Sequence, residues 1–243
     1  MKLFGLIGHP VSHSFSKAFF DKKFEKENRS DCRYELMDLE TINEIISLKK
    51  TSQLCGLNVT IPYKQAILPF LDTISEEAKS VGAVNTIKIK EGKWHGHNTD
   101  IIGFHKSLVP LLKPSITKAL ILGSGGAALA VKYVLDKLSI SSSFVSRESN
   151  LTEYNYRDIT KSVLNEHQLI INTTPVGMFP DVNKMPEIPV HLLNRNHLVY
   201  DLIYNPEETL LLKNAASIGC KTKNGLEMLQ IQAEESWKIW TAD

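Results

Sequence analysis

A continuous apolar strand, then a glycine loop, then a helix is the feature that most restricts what this chain can fold into. Ala119-Leu120-Ile121-Leu122 shows no alternation, as expected of a parallel strand buried on both faces. Gly123-Ser124-Gly125-Gly126-Ala127-Ala128 follows at once, and Ala130, Val131, Val134, Leu135 and Leu138 then recur at helical steps. The first glycine of Gly123-x-Gly125-x-x-Ala128 permits a tight turn. The second lets backbone approach a pyrophosphate, and the small third residue lets helix and strand pack closely. Backbone N–H groups at the helix start favour the phosphate charge. The reading is a dinucleotide site at Gly123, Ser124, Gly125, Gly126 and Ala127, with a glycine-rich packing turn as its bland competitor.

The next strand, Ser143 to Ser146, ends in Arg147-Glu148. At that place an acidic residue accepts from the ribose 2′-hydroxyl of NAD, whereas an Arg holds the 2′-phosphate of NADP. Both kinds of residue are present, so local chemistry leaves the two cofactors open, and two solvated loop charges are the plain alternative.

Apolar and helical stretches alternate along the whole chain, which argues for α/β architecture. Leu3 to Ile7, Tyr34 to Asp38, Leu57 to Ile61, Leu169 to Asn172 and Leu198 to Leu202 read as strands. Phe15, Phe19, Phe20 and Phe24 mark a helix over Ser14 to Asn28, and Thr41 with Glu44 forms a capping-box pattern. Glu91-Gly92-Lys93 reads as a hairpin turn, Ile101 to Leu112 as a connecting helix, and Leu226 to Trp240 as a last helix. On that helix Trp237 and Trp240 share an apolar stripe and belong to the core. The simplest division falls near residue 100: 1–100 as one domain with 225–243 returning to it, and 101–224 as the nucleotide-binding domain.

The 28 basic and 27 acidic side chains leave a net charge of +1 over 243 residues, which excludes bulk coating of nucleic acid but not a local phosphate site. No apolar run is long enough for a membrane helix. Cys32, Cys55 and Cys220 are odd in number and widely spaced, so neither a disulfide framework nor a zinc spacing is expected, and the cytoplasm is the default compartment.

Four segments are too polar for strand ends. They are 8–17, 58–64, Gly82-Ala83-Val84-Asn85-Thr86 and Gly96-His97-Asn98-Thr99-Asp100. Each alone suits a turn. Together they suit a pocket for a small, many-hydroxyl anion, with one Lys and one Asp available for proton chemistry.

The chain resembles the shikimate dehydrogenase family from Ile7 to about Trp240. Eight segments carry the likeness in order. They are Gly8-x-Pro10-x-x-His13-Ser14-x-Ser16, Asn58-Val59-Thr60-x-Pro62-x-Lys64, Gly82-Ala83-Val84-Asn85-Thr86, Gly96-x-Asn98-Thr99-Asp100, Gly123-x-Gly125-Gly126-Ala127, Asn172-Thr173-Thr174-Pro175-x-Gly177-Met178, Asp201-x-x-Tyr204-x-Pro206 and Gly225-Leu226-x-Met228-Leu229-x-x-Gln232-Ala233. The resemblance implies an α/β fold of two domains, an N-terminal substrate-binding domain and a Rossmann-type dinucleotide-binding domain with a central cleft. It implies reversible NADPH-dependent reduction of 3-dehydroshikimate to shikimate, by a monomer or homodimer without nucleic-acid or membrane partners.

By matching positions, Lys64 and Asp100 would be the catalytic pair. Ser14, Ser16 and Tyr204 would hold the substrate carboxylate, and Thr60, Asn85 and Gln232 would place the ring and its hydroxyls. Arg147 would bind the 2′-phosphate, Leu202 and Gly225 would line the nicotinamide side, and Glu76 matches a position near the cofactor. Departures are Lys17 for the usual Pro, His9 for the common Asn, and Ser146-Arg147-Glu148 for Asn-Arg followed by Thr or Ser. The last keeps NADP as the expected cofactor and NAD as a possible one. A quinate/shikimate dehydrogenase using NAD and a non-catalytic nucleotide-binding paralogue are the competing functions. His95, His97 and Asp100 lack a fourth ligand, so no metal is expected.

Overall fold

A computed structural model describes residues 1–12, 14–147 and 153–242. The chain divides into two compact units, Met1–Thr99 with Gln232–Asp243, and Asp100–Ile231.

In the first unit the elements run β1 (Lys2–Gly8), α1 (Phe15–Lys26), β2 (Cys32–Asp38), α2 (Ile45–Leu48), β3 (Leu54–Val59), α3 (Tyr63–Ala66), β4 (Thr73–Ile74), α4 (Glu76–Val81), β5 (Thr86–Lys90) and β6 (Lys93–His97). They form a six-stranded mixed sheet in the order β2-β1-β3-β5-β6-β4. β1 pairs parallel with β2 and β3, whereas β5 runs antiparallel to both β3 and β6. Alternation sorts the side chains: Leu3, Ile7, Leu57, Ile87 and Trp94 fill the core on one face. Phe4, Leu6, Phe20, Tyr34, Trp237 and Trp240 fill the other. The tryptophans expected in the core are there, Trp240 stacking on Phe4 at 5.0 Å and donating its indole N–H to the Ile87 carbonyl at 2.9 Å.

The second unit contains α5 (Asp100–Leu108), β7 (Lys118–Leu122), α6 (Gly126–Lys137), β8 (Ser141–Ser146), β9 (Tyr154–Asn155), α7 (Lys161–Glu166), β10 (Leu169–Asn172), β11 (Leu198–Asp201), α8 (Leu210–Ser217), β12 (Lys221–Lys223) and α9 (Leu226–Thr241), the last contributing to both units. The sheet is all parallel, ordered β12-β11-β10-β7-β8-β9. This is the doubly wound order, whose direction of build reverses between β7 and β10, the place where such sheets bind ligands. Ala119 and Ile121 enter one core, Leu120 and Leu122 the other, and this two-sided burial explains the unbroken apolar run.

Some boundaries differ from the sequence reading. β3 begins at Leu54 and ends at Val59, not at Ile61, whose side chain is exposed and whose neighbour Pro62 has no N–H for a ladder. The helix expected over Ile101 to Leu112 stops at Leu108, and Val109–Leu111 tightens into a 3-10 turn around Pro110. Helices α4, α7 and α8 were not foreseen. Each is short, and each is started by a hydroxyl, from Ser75, Thr160 and Thr209, that accepts from a backbone N–H in the first turn.

Candidate active site

In the second unit the loop after β7 turns at Gly123, where φ is +104°, a left-handed conformation that favours glycine. A Cβ there would sit 2.9 Å from both Thr173 Oγ1 and Thr174 Cγ2, so the loop after β10 packs directly on this turn. Gly125 is the N-cap of α6, and a Cβ built on it would enter open space. Ser124 and Gly125 are exposed, whereas Ala128 is fully buried against the sheet. The loop therefore offers a cradle of backbone N–H groups at a helix start that suits a pyrophosphate. Arg147, exposed, follows the last residue of the adjacent strand β8, and its carbonyl accepts from Asn155 Nδ2 at 2.9 Å. Glu148, on which the choice between NAD and NADP was to turn, lies outside the described residues, as does His13.

A buried carboxylate, which the sequence reading gave no role, ties the loops of this sheet edge together. Asp201 ends β11 and is inaccessible to solvent. Its Oδ1 accepts from Asn172 Nδ2 at 3.0 Å and from the Ile203 N–H at 3.1 Å, and its Oδ2 accepts from the Thr209 hydroxyl at 2.7 Å. Asn172 in turn accepts from the Thr174 N–H at 3.0 Å and the Thr174 hydroxyl at 2.7 Å. Burial pushes the Asp201 carboxyl up to about 6, against the opposing pull of those three hydrogen bonds. Leu202 and Gly225 meet at the same edge. A Cβ on Gly225 would collide with the Leu202 carbonyl, so only glycine allows this approach. Tyr204, partly buried, lies on the loop that follows.

In the first unit the polar clusters gather around the ends of β1, β3, β5 and β6. Ser14 caps α1, its hydroxyl accepting from the Ser16 N–H at 3.2 Å. Ser16 is buried, and its side chain bonds Tyr34, whose phenol burial pushes up. Thr60 follows β3 and donates its N–H to the Ile7 carbonyl at 2.9 Å. Lys64 is on α3, and its carbonyl accepts from the Val84 N–H at 2.8 Å, which fixes α3 beside the segment carrying Asn85.

Asn85, 3 % exposed, sits in a closed polar network. Its Nδ2 donates to Thr99 Oγ1 at 3.0 Å and to Gln232 Oε1 at 3.4 Å, and its Oδ1 accepts from the Thr99 N–H at 2.7 Å. Thr86 and Ser236 hydroxyls bond each other at 2.8 Å, and Asn58 links Ser236 to the Tyr34 hydroxyl. Thr99, Ser236 and Tyr34 were missed as parts of this network. The available signal was Ser236 four residues after Gln232, a polar position on an apolar helix stripe. Asp100, buried, begins α5 in the second unit. Glu76 is exposed in the first turn of α4 and pairs with Lys79 at 2.7 Å. Among the described residues no group of three His, Cys, Asp or Glu could hold a metal ion, and His95 Nδ1 instead bonds Thr73 Oγ1 at 2.7 Å. Among them, too, no helix is long and apolar enough to cross a membrane.

Comparison with known proteins gives these arrangements a context. The family model described as "Shikimate dehydrogenase substrate binding domain" matches residues 6–87. The shikimate dehydrogenase (NADP(+)) of Methanococcus maripaludis is 43% identical over 256 residues, covering 99% of this chain and 91% of that protein. A shikimate dehydrogenase from Thermus thermophilus, solved with NADP(H) and shikimate, superposes with a TM-score of 0.85 at 32% identity, over 99% of this chain and 94% of that one. The quinate dehydrogenase of Corynebacterium glutamicum, solved with NAD, also reaches a TM-score of 0.85, at 29% identity over 99% and 93% of the two chains.

Proposed function

The chain belongs to the shikimate dehydrogenase family, and from that premise we propose which of its residues carry the reaction. It is an NADP-dependent oxidoreductase that reversibly reduces 3-dehydroshikimate to shikimate. We assign substrate binding to 1–100 with 225–243, and the dinucleotide to 101–224. When bound, NADPH supplies hydride to the ketone carbon of the substrate.

Lys64 is assigned the proton. Negative charge grows on the ketone oxygen as its carbon is reduced, and an ammonium beside that oxygen stabilises the charge and then gives up its proton. In the reverse direction the neutral amine takes the proton from the alcohol. Asp100 is its partner, a carboxylate whose charge favours the protonated amine. Ser14, Ser16 and Tyr204 offer hydroxyl donors for the substrate carboxylate. Asn85 and Gln232, held by Thr99, offer amide groups to the ring hydroxyls together with Thr60. Gly123, Ser124, Gly125, Gly126 and Ala127 would hold the pyrophosphate, Arg147 the 2′-phosphate, and Leu202 and Gly225 the nicotinamide side, with Glu76 nearby. We place the enzyme in the cytoplasm, as a monomer or homodimer.

The observation that carries this reading is the network fixing Asn85, Thr99 and Gln232, with Lys64 hydrogen-bonded to the same segment. Such order in buried amides costs conformational entropy and desolvation that a merely structural turn does not require. Initial rates with shikimate and quinate, each with NADP and NAD, test it. Shikimate with NADP should be turned over fastest. Preference for quinate with NAD would favour the quinate dehydrogenase reading, and binding of both ligands without turnover would favour a non-catalytic paralogue.

A further inference from the structure

Beyond Thr86, the outer face of the β5–β6 hairpin carries no residue assigned to the reaction. Residues directly opposite in an antiparallel pair point to the same side of the sheet. Thr86 is opposite His97, Lys88 opposite His95, and Lys90 opposite Lys93. The intervening pairs, Ile87 with Gly96 and Ile89 with Trp94, turn to the core. One side of the hairpin is thus apolar and the other carries three Lys and two His.

β4 adds hydroxyls to the charged side. Thr73 is paired with His95, and the next residue on that side is Ser75. Thr73, Ser75, Lys88, Lys90, His95 and His97 line an open groove of about 310 Å³. The groove continues the sheet face that α1 and α9 cover further along, since Phe4 is paired with Gly56 and Gly56 with Lys88.

Two features make this more than a solvated surface. Like charges placed directly opposite each other destabilise a strand pair, and Lys90 stands directly opposite Lys93 at the end of this face. The groups are also held in place: Thr73 Oγ1 fixes the His95 ring through Nδ1, and the Lys88 ammonium donates to the Ala242 carbonyl. Among the described residues no carboxylate lies within ion-pair distance of Lys88, Lys90 or Lys93. Among the described residues, Asp72 interacts electrostatically with His95 and Lys93, and Glu77 with His97. Burial first, and then His95 and Lys88, hold the His97 imidazole below its ordinary range, as expected where the local potential is positive.

We propose that this groove binds a phosphate group, as inorganic phosphate or a small phosphomonoester, at a site sharing no residue with the catalytic set. Lysines supply point charges for a dianion, and hydroxyls and imidazole N–H groups complete its shell. The open groove, at about 310 Å³, has room for a phosphomonoester as well as for the free ion.

The test is an NMR titration with inorganic phosphate at constant ionic strength, read at the Gly96 amide and the His95 ring, which report this groove and not Arg147 or the glycine loop. The wild type should show saturable shifts. The double variant Lys88→Gln with Lys90→Gln should bind about tenfold more weakly or worse, as loss of charge-assisted hydrogen bonds implies, while turnover of shikimate stays at the wild-type level and so reports an intact fold. His95→Asn should weaken binding in the same direction. A parallel titration with glucose 6-phosphate distinguishes free phosphate from a phosphomonoester by which saturates first. Shifts that rise without saturation, or saturable shifts equally strong in the double variant, would overturn the proposal.

Discussion

The two sheets solve different problems. The parallel sheet of the second unit is buried on both faces, and the groups we assign to the cofactor there are mostly backbone N–H groups of the loop after β7. In the mixed sheet of the first unit the groups we assign to the substrate are side chains, several of them set in a network of buried amides and hydroxyls that bond one another. The difference teaches where binding and chemistry reside. A glycine loop can grip a phosphate with almost any neighbours, whereas a ring with several hydroxyls requires side chains fixed in a particular order.

Substitutions should separate the two regions. The largest effect is expected at Lys64. Lys64→Ala should lower kcat by about a hundredfold to ten-thousandfold, the range for loss of a positioned acid or base, with the circular dichroism spectrum and NADP affinity unchanged. Near-wild-type turnover would remove Lys64 from its role. In the other unit, Arg147→Gln should raise the KM for NADP by about ten- to a hundredfold, as expected for a lost charge-assisted bond, and leave kcat at saturation and the KM for NAD nearly untouched. An equal loss with both cofactors would mean that Arg147 does not read the 2′-phosphate.

Asp201 gives a pH signature confined to the second unit. Its folded value of about 6 lies above the ordinary carboxyl value, so the folded state binds the proton more tightly than the unfolded chain does. Its contribution to stability is therefore favourable below the unfolded value and is lost as pH rises through about 6. The size is on the order of 2–3 kcal/mol between pH 4 and 7. Urea unfolding of the wild type and Asp201→Asn at several pH values isolates it. The difference between the two proteins should change across that window, and a difference independent of pH would contradict it. The smallest effect is expected from Thr99→Val, which leaves the Asn85 amide short of a partner. It should cost about 1–2 kcal/mol in urea unfolding, and Thr99→Ser should restore most of it.

The same contrast governed what could be read from the sequence. The second unit's first strand, loop and helix were legible because two-sided burial forces an unbroken apolar run and a tight turn forces glycine, both of which are local signals. The order of the strands in the sheet was not legible, since which strands become neighbours depends on long-range packing. In the first unit Asn85, Gln232 and Lys64 were singled out by resemblance. The residues that hold Asn85 and Gln232, namely Thr99, Ser236 and Asn58, were not given that role, because a hydrogen bond across 137 positions, as between Thr99 and Ser236, leaves no periodic trace. Asp201 was quoted within a motif yet given no task for the same reason: its partners Asn172 and Thr209 lie on different elements.

The most direct test of this division of labour is a pair of Michaelis constants, for shikimate and for NADP, measured in Thr99→Val and in Arg147→Gln. The account predicts a crossed result: Thr99→Val raises the constant for shikimate and spares that for NADP, and Arg147→Gln does the reverse. Both constants moving together in either variant, or each moving with the wrong substitution, would contradict it.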